Sequence, residues 1–308
     1  MKIVYVNARI YDFSSATLIE GLQGLGHTVL CSETSNYGTG VAPEDLLAQA
    51  PSADLVVLGS NLGVNLDLFA WLRNDRKVYV DGGDQQSVVL PQNVGVRAIF
   101  KRELNRAAQL EPDAPIFALP FAAEDRYFAA TMPRKDIALS FLANMNTNPL
   151  RHSIHQRIGR LRHPDPILSG STGESSYNGA NGNPLSTPRY RDILLRSRIG
   201  INVPGAGYDC ARYWEILAAG AMLMSWEPDI VIPEAFTDGV DCATFCSVGE
   251  FDDKARYYLE HPDHVDTIAR RGSERLRAHH TTRARAQYFL RTATAAIERD
   301  RARNPVTA

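Results

Sequence analysis

Short, almost wholly apolar runs recur along this chain, separated by stretches with helical periodicity, and that alternation leaves few folds open. Asp54-Leu-Val-Val-Leu58 holds four apolar residues in a row. It reads as a strand covered on both faces, as in a parallel sheet. Around it the first half gives a strand at Ile3–Val6, a helix at Ser15–Leu25, a strand at Thr28–Cys31 and a helix at Pro43–Gln49. A helix at Leu66–Arg73 and strands at Lys77–Val80, Val96–Phe100 and Ile116–Leu119 follow. Leu18, Ile19, Leu22 and Leu25 share one face of the first helix. The pattern is that of a doubly wound α/β domain.

Pro133-Arg-Lys-Asp136 reads as a hinge, and the alternation then starts again. Strands are expected at Ile137–Leu142, Pro166–Ser169 and Ile199–Val203, with helices at Ser153–Leu161 and Tyr190–Ser197. Gly170 to Pro188, rich in Gly, Ser and Asn, is expected as a long loop. A length of 308 residues suits two such domains, 1–133 and 134–308. Open α/β sheets place ligands at strand carboxyl ends, so the loops after Val6, Val80, Leu142, Ser169 and Val203 are expected to line the site.

The stretch Gly205-Ala-Gly-Tyr-Asp-Cys-Ala-Arg-Tyr-Trp-Glu-Ile-Leu-Ala-Ala-Gly220, followed by the apolar run Ala221–Ser225, carries the chemistry. It predicts a loop, a short helix capped by Asp209, and a buried strand. Arg212 and Glu215, three apart, project from one face near the helix start. Helix-start N–H groups and an arginine suit a diphosphate, a carboxylate one turn on suits a ribose diol, and Ala218, Ala219 and Gly220 permit close approach.

On these residues the segment from about Ile199 to Phe289 resembles the C-terminal half of group-1-type glycosyltransferases, especially the branch with CgeB-like spore-maturation proteins. The matching series is Arg212-Tyr-Trp-Glu215, Ala218-Ala-Gly220, Glu227-Pro228, Phe236-Thr-Asp-Gly239, Tyr257-Tyr-Leu-Glu-His-Pro262, Ala269-Arg-Arg-Gly272 and His280-Thr281. The resemblance implies the GT-B fold: two Rossmann-like domains facing across a cleft, acceptor side at 1–133, nucleotide sugar at 134–308, the last helix (about 282–299) crossing back. It implies transfer of a sugar from a UDP-, GDP- or dTDP-linked donor to an acceptor hydroxyl, with no metal and no cofactor. Many retaining relatives carry two glutamates eight positions apart; eight before Glu215 stands Gly207, so donor binding carries over better than stereochemistry.

The expected donor set is Arg212, Glu215, Gly205, Gly207, Tyr208, Ala211, Asn144, Asn146, Arg151 and Gly170. Asn148 and the run Ser169–Gly173 stand beside it, although asparagines in such loops also simply make turns. Asn7, Arg9 and Tyr11 are expected on the acceptor side. Asp81 and Asp84 are candidate general bases, with turn formation as the alternative reading. Lys101-Arg-Glu103 either neutralises the leaving diphosphate or ends a strand. Gly21, Gly24 and Gly26 fall at a helix exit and not between strand and helix, against a dinucleotide fingerprint. His152 and His155 read as surface residues.

Formal net charge is −2, with 44% hydrophobic and 22% charged residues, so no global field calls for nucleic acid or membrane. Ten arginines against Glu274, Glu298 and Asp300 between 270 and 303 read as a solvated face, with an anionic acceptor or surface as the sharper reading. Cys31, Cys210, Cys242 and Cys246 have no zinc spacing and no disulfide framework. With no signal-like start and no apolar run of spanning length, a cytoplasmic setting is expected. Two other readings stand beside the transferase: a non-catalytic module that holds a nucleotide sugar or glycan, and a transferase acting on a modified nucleic-acid base. The acceptor otherwise is a glycan, small molecule or protein.

Overall fold

A computed structural model describes residues 1–9, 12–34, 38–59, 64–88, 95–107, 116–131, 133–171 and 187–303. The chain divides into two compact units. Unit 1 comprises Met1–Ala122, Ile230–Pro233 and Thr282–Ala308; unit 2 comprises Ala123–Asp229 and Glu234–Thr281.

Unit 1 is built on β1 (Lys2–Val6), β2 (Thr28–Cys31), β3 (Leu55–Gly59), β4 (Lys77–Asp81), β5 (Ala98–Lys101) and β6 (Ile116–Ala118), with α1 (Phe13–Gly24), α2 (Pro43–Gln49) and α3 (Leu66–Trp71). The six strands are parallel in the order β2-β1-β3-β4-β5-β6. The unbroken apolar runs follow from helices on both faces. Ile3, Tyr5, Val57 and Val80 point to the layer of α1, whereas Val4, Val6, Val56 and Leu58 point to α2 and α3.

Unit 2 has a parallel sheet in the order β11-β10-β9-β7-β8. Its strands are β7 (Ile137–Ala143), β8 (Ile167–Ser171), β9 (Ser197–Asn202), β10 (Met222–Trp226) and β11 (Ala243–Phe245). Its helices are α4 (Pro149–Ile158), α5 (Thr187–Arg196), α6 (Ala211–Ala218), α7 (Val248–Glu260) and α8 (Pro262–His279). β8 runs through Gly170 and Ser171, two residues into the stretch expected as loop; residues 172–186 lie outside the described set. α6 is buried from Arg212 to Ala218. Gly200 in β9 makes room for it, since a Cβ there would stand 2.6 Å from Ile216.

The last helix, α9 (Thr282–Arg303), belongs to unit 1 and covers α1. A Cβ at Gly21 would lie 2.0 Å from the Thr282 carbonyl oxygen. Gly21 is therefore a helix-packing glycine, while Gly26, at φ 81°, ends the turn after α1. α1 consequently buries Ser14–Ile19, Gly21 and Leu22, far more than the single face its periodicity outlines.

Candidate functional site in unit 2

In unit 2 the chain leaves β7 towards β8 on one side, and later strands build outward from β9 on the other. β7 and β9 thus flank the switch point, where open α/β sheets bind ligands. The segments that leave their carboxyl ends are Asn144–Asn148 and Val203–Cys210.

Arg151 ties these two segments together. Asn148 caps α4 by accepting from the Leu150 N–H at 3.0 Å, and Pro149 starts the helix, which fixes Arg151 on the first turn. Its Nε donates to the Pro204 carbonyl (2.9 Å) and its Nη2 to the Val203 carbonyl (3.2 Å). Its Nη1 donates to the Asn144 carbonyl (2.7 Å) and to Thr147 Oγ1 (2.6 Å). A Cβ at Gly205 would stand 2.9 Å from Arg151 Nη2, so only glycine fits there without a shift. Asn148 Nδ2 donates to the Gly205 carbonyl at 3.1 Å, and the Gly205 N–H donates to the Gly207 carbonyl at 2.9 Å.

Arg212 is the second residue of α6. Its Nε donates to the Leu142 carbonyl at 3.0 Å, and its guanidinium lies over the Phe141 ring, 5.7 Å from the centroid. Its Nη1 is buried and makes no hydrogen bond among the described residues. Neither Arg151 nor Arg212 has a carboxylate within ion-pair distance among those residues, although each is less than a tenth exposed. Burial and the neighbouring Arg212 charge both act against the Arg151 cation. Two adjacent buried cations with no carboxylate at ion-pair distance leave a positive field at these strand ends.

Glu215, one turn further along α6, is also buried. Tyr190, on α5, donates its hydroxyl to Glu215 Oε2 at 2.7 Å, and Tyr127, from the turn Asp125–Tyr127, stands beside Tyr190 with its hydroxyl acting to lower the carboxyl pKa. The rings of Tyr127 and Tyr190 meet edge to face, 6.5 Å apart. Burial holds the Glu215 carboxyl above its ordinary range; Glu124 nearby adds to the rise, and the two hydroxyls and Arg212 oppose it. Both tyrosine hydroxyls are pushed up by burial and remain donors.

Asp209 does not cap the helix as its position suggested. The N-cap is Cys210, with no side-chain cap bond. Asp209 Oδ1 instead accepts from the Trp214 indole N–H at 2.8 Å. Trp214 is fully buried, and its N–H must find a partner there. The N-cap residue of α6 therefore leaves the first-turn amide donors to other partners.

The remaining expected site residues are placed less centrally. Asn144 accepts from the Asn146 N–H through its side chain, while Asn146 is exposed. Tyr208 is half-buried in the loop, Ala211 opens α6, and a Cβ at Gly170 would meet nothing within 4 Å. His155 is half-buried, with Nδ1 2.7 Å from Ser169 Oγ, so it is not the free surface residue expected. In unit 1 the Asn7 amide is engaged with Glu33 and Ser32, bridging the ends of β1 and β2. Arg9 is exposed and paired with Glu33 at 3.2 Å; Tyr11 lies outside the described residues. Asp81 forms a buried pair with Lys101 at 3.1 Å, and partly exposed Asp84 pairs with Arg102. Arg102 also contacts Glu103 at 3.4 Å.

Sequence reading missed Tyr127 and Tyr190, which come from separate segments and meet Glu215 only through the fold. It also started α4 four residues late, although Asn148-Pro149 is an N-cap followed by a first-turn proline.

The model of the family described as glycosyl transferase-like matches residues 129–291, more than half of the chain. No curated protein matches it. Among solved structures it is similar to an α-glucosyltransferase in complex with UDP and a 13-mer DNA containing a central A:G mismatch (TM-score 0.65, 11% identity, 96% of this chain and 99% of that one). It is also similar to sucrose-phosphate synthase from Thermosynechococcus elongatus (TM-score 0.62, 12% identity, 97% and 100%). A third is Anabaena HepE in complex with UDP and glucose (TM-score 0.60, 10% identity, 96% and 100%). No described helix is long and apolar enough to cross a membrane. With two parallel sheets flanked by helices, the fold is GT-B, and the chain belongs to the glycosyl transferase-like family.

Proposed function

We propose that this chain transfers a sugar from a nucleoside-diphosphate donor to an acceptor hydroxyl without a metal, and that unit 2 holds the donor. The observation that carries this reading is the pair of buried guanidiniums at the switch point, with no carboxylate at ion-pair distance among the described residues. In the reaction the bond between the anomeric carbon and the diphosphate oxygen breaks. Negative charge then grows on the diphosphate and positive charge on the sugar ring. Arg212, with Nη1 free to donate, and the uncapped start of α6 take up the first. Arg151 acts mainly by fixing the two loops and by its charge, since its donors already have partners. Glu215 accepts from the ribose diol. Gly205 and Gly207 let the backbone approach the donor. Of the carboxylates after β4, Asp84 is the better base candidate, because Asp81 is buried against Lys101. UDP is the first donor nucleotide to test, since two similar structures hold it. The ordered series from Arg212 to Thr281 supports placement in the CgeB-like branch.

A thermal-shift panel of UDP, GDP, ADP, CMP and dTDP tests the donor. A native-state ligand at a hundred times its Kd stabilises by about 2.7 kcal/mol. One diphosphate is expected to raise Tm, and its sugar conjugate to release nucleoside diphosphate when acceptors are supplied. If no member of the panel moves Tm, the reading fails. Binding without turnover over a broad acceptor set would favour the non-catalytic module.

The similarity to a DNA-bound α-glucosyltransferase favours a second reading, a nucleic-acid acceptor. The arginines of 270–303 support it only weakly. Arg285 is buried with Nη2 on the Phe121 carbonyl, and Arg270, Arg275 and Arg301 contact Glu274, Asp241 and Asp75. DNA binding that falls steeply with salt would support this acceptor, and absence of binding at low salt would remove it.

A further inference from the structure

Glu215 has a neighbourhood that a plain diol ligand does not require. Its carboxylate is buried, and the charged groups that act on it come from three segments. Arg212 lies on the same helix. Tyr190 comes from α5. Tyr127 and Glu124 come from the segment at the start of unit 2, where Arg126 Nη2 pairs with Glu124 Oε2 at 2.6 Å. That segment is pinned at the Ala123 N–H, which donates to the His280 carbonyl at 2.9 Å. Tyr190 is held by the edge contact with Tyr127. The Tyr190 hydroxyl therefore meets the carboxylate directly, and Tyr127, in edge contact with the Tyr190 ring, braces it from a distant part of the chain.

We infer that Tyr127 and Tyr190 are positioning residues that hold Glu215 in its charged, acceptor-only form, with two lone pairs turned toward the ribose diol. This rests on the reading of Glu215 as the diol ligand. An ionised carboxylate offers about four acceptor sites. Tyr190 takes one, and a vicinal diol needs two. A carboxyl in this setting without the hydroxyls would favour its neutral form, because burial and Glu124 both oppose the charge. A neutral carboxyl presents an O–H donor in place of one acceptor and gives up the charge-assisted bonds to both ribose hydroxyls. Phenylalanine would fill the same space, so packing alone does not call for the hydroxyls.

The test is calorimetric titration of the full chain with UDP and with 2′-deoxy-UDP from pH 5 to 8.5, for wild type, Y127F, Y190F and E215Q. Thermal melts establish that each variant is folded. Wild type is expected to prefer UDP, and to lose affinity as pH falls through one midpoint. Each tyrosine variant should raise that midpoint by about one pH unit, the size of a charge-assisted hydrogen bond. At pH 8.5 each should return to within about threefold of wild type, a recovery that a merely structural defect would not give. If E215Q removes the preference for UDP over 2′-deoxy-UDP but the tyrosine variants leave the midpoint where it was, the positioning role falls alone. Loss by one constant factor at every pH overturns it equally. If E215Q keeps the wild-type preference, the diol reading falls and the positioning role with it.

Discussion

Arg212 and Arg151 are adjacent cations with opposite expected signatures, and that contrast tests the donor site most directly. In Arg212→Met the protein loses one charge-assisted bond, from Nε to the Leu142 carbonyl. Such a bond contributes about 1.5–3 kcal/mol. The same change removes a buried Nη1 without a hydrogen bond, whose desolvation costs about 1–3 kcal/mol, and it ends the repulsion with Arg151. The terms nearly cancel, and stability in urea should stay within about 1 kcal/mol of wild type. Donor binding should not. Removing one partner of a buried charge pair costs about 2–5 kcal/mol, or roughly 30-fold to several thousand-fold in Kd. Arg151→Met should behave in the reverse sense. It breaks bonds to Pro204, Asn144, Thr147 and Val203 together and should cost about 3–5 kcal/mol of stability. Calorimetry with UDP and with uridine separates phosphate from base contacts. Arg212→Met should weaken UDP and leave uridine unchanged. An equal loss for both ligands, or less than about a fivefold loss for UDP, would refute the assignment of Arg212 to the diphosphate.

Gly21→Ala should destabilise by about 3 kcal/mol in urea, because its Cβ would meet the Thr282 carbonyl oxygen at 2.0 Å; a gain of about 1 kcal/mol, the ordinary helix-interior effect, would show that α9 does not press on α1 this way. Glu215 has a carboxyl raised above its ordinary 4.5, so its proton binds the native state more tightly than the unfolded chain. That stability is present below about pH 4.5 and is lost as pH rises through the native value. Wild-type Tm should therefore fall below that of Glu215→Gln between pH 4.5 and 8, and parallel curves would contradict the burial of the charge.

The strand pattern was legible because parallel strands covered on both faces leave unbroken apolar runs, as at Asp54–Leu58. Arg212 and Glu215 were legible because helical spacing places them on one side of α6. What escaped was set by tertiary partners. Asp209 is a good N-cap by residue type, but the buried indole of Trp214 takes its carboxylate, and no local pattern announces that competition. Gly21 sits where a helix might end, yet it answers to α9, which follows about 260 residues later in the chain. Tyr127 and Tyr190 could not be paired with Glu215 without the order of strands in unit 2. That order is also what identifies β7 and β9 as the flanks of the switch point.

The carboxyl ends of the two sheets treat buried charge differently, and the difference argues for which of them meets the diphosphate. At the carboxyl ends of β4 and β5 in unit 1, Asp81 pairs with Lys101, and Arg102 pairs with Asp84 and Glu103, so the neighbours Lys101 and Arg102 already have carboxylates. Such pairs hold a fold together, but they leave little field for an incoming anion. At the unit 2 switch point Arg151 and Arg212 have no carboxylate at ion-pair distance among the described residues, and Glu215 accepts from the neutral hydroxyl of Tyr190. Folding alone would select against this arrangement. Its persistence at the carboxyl ends of β7 and β9 makes sense once a ligand supplies two negative charges to the arginines and two hydroxyls to the carboxylate, which is the chemistry of a nucleoside diphosphate.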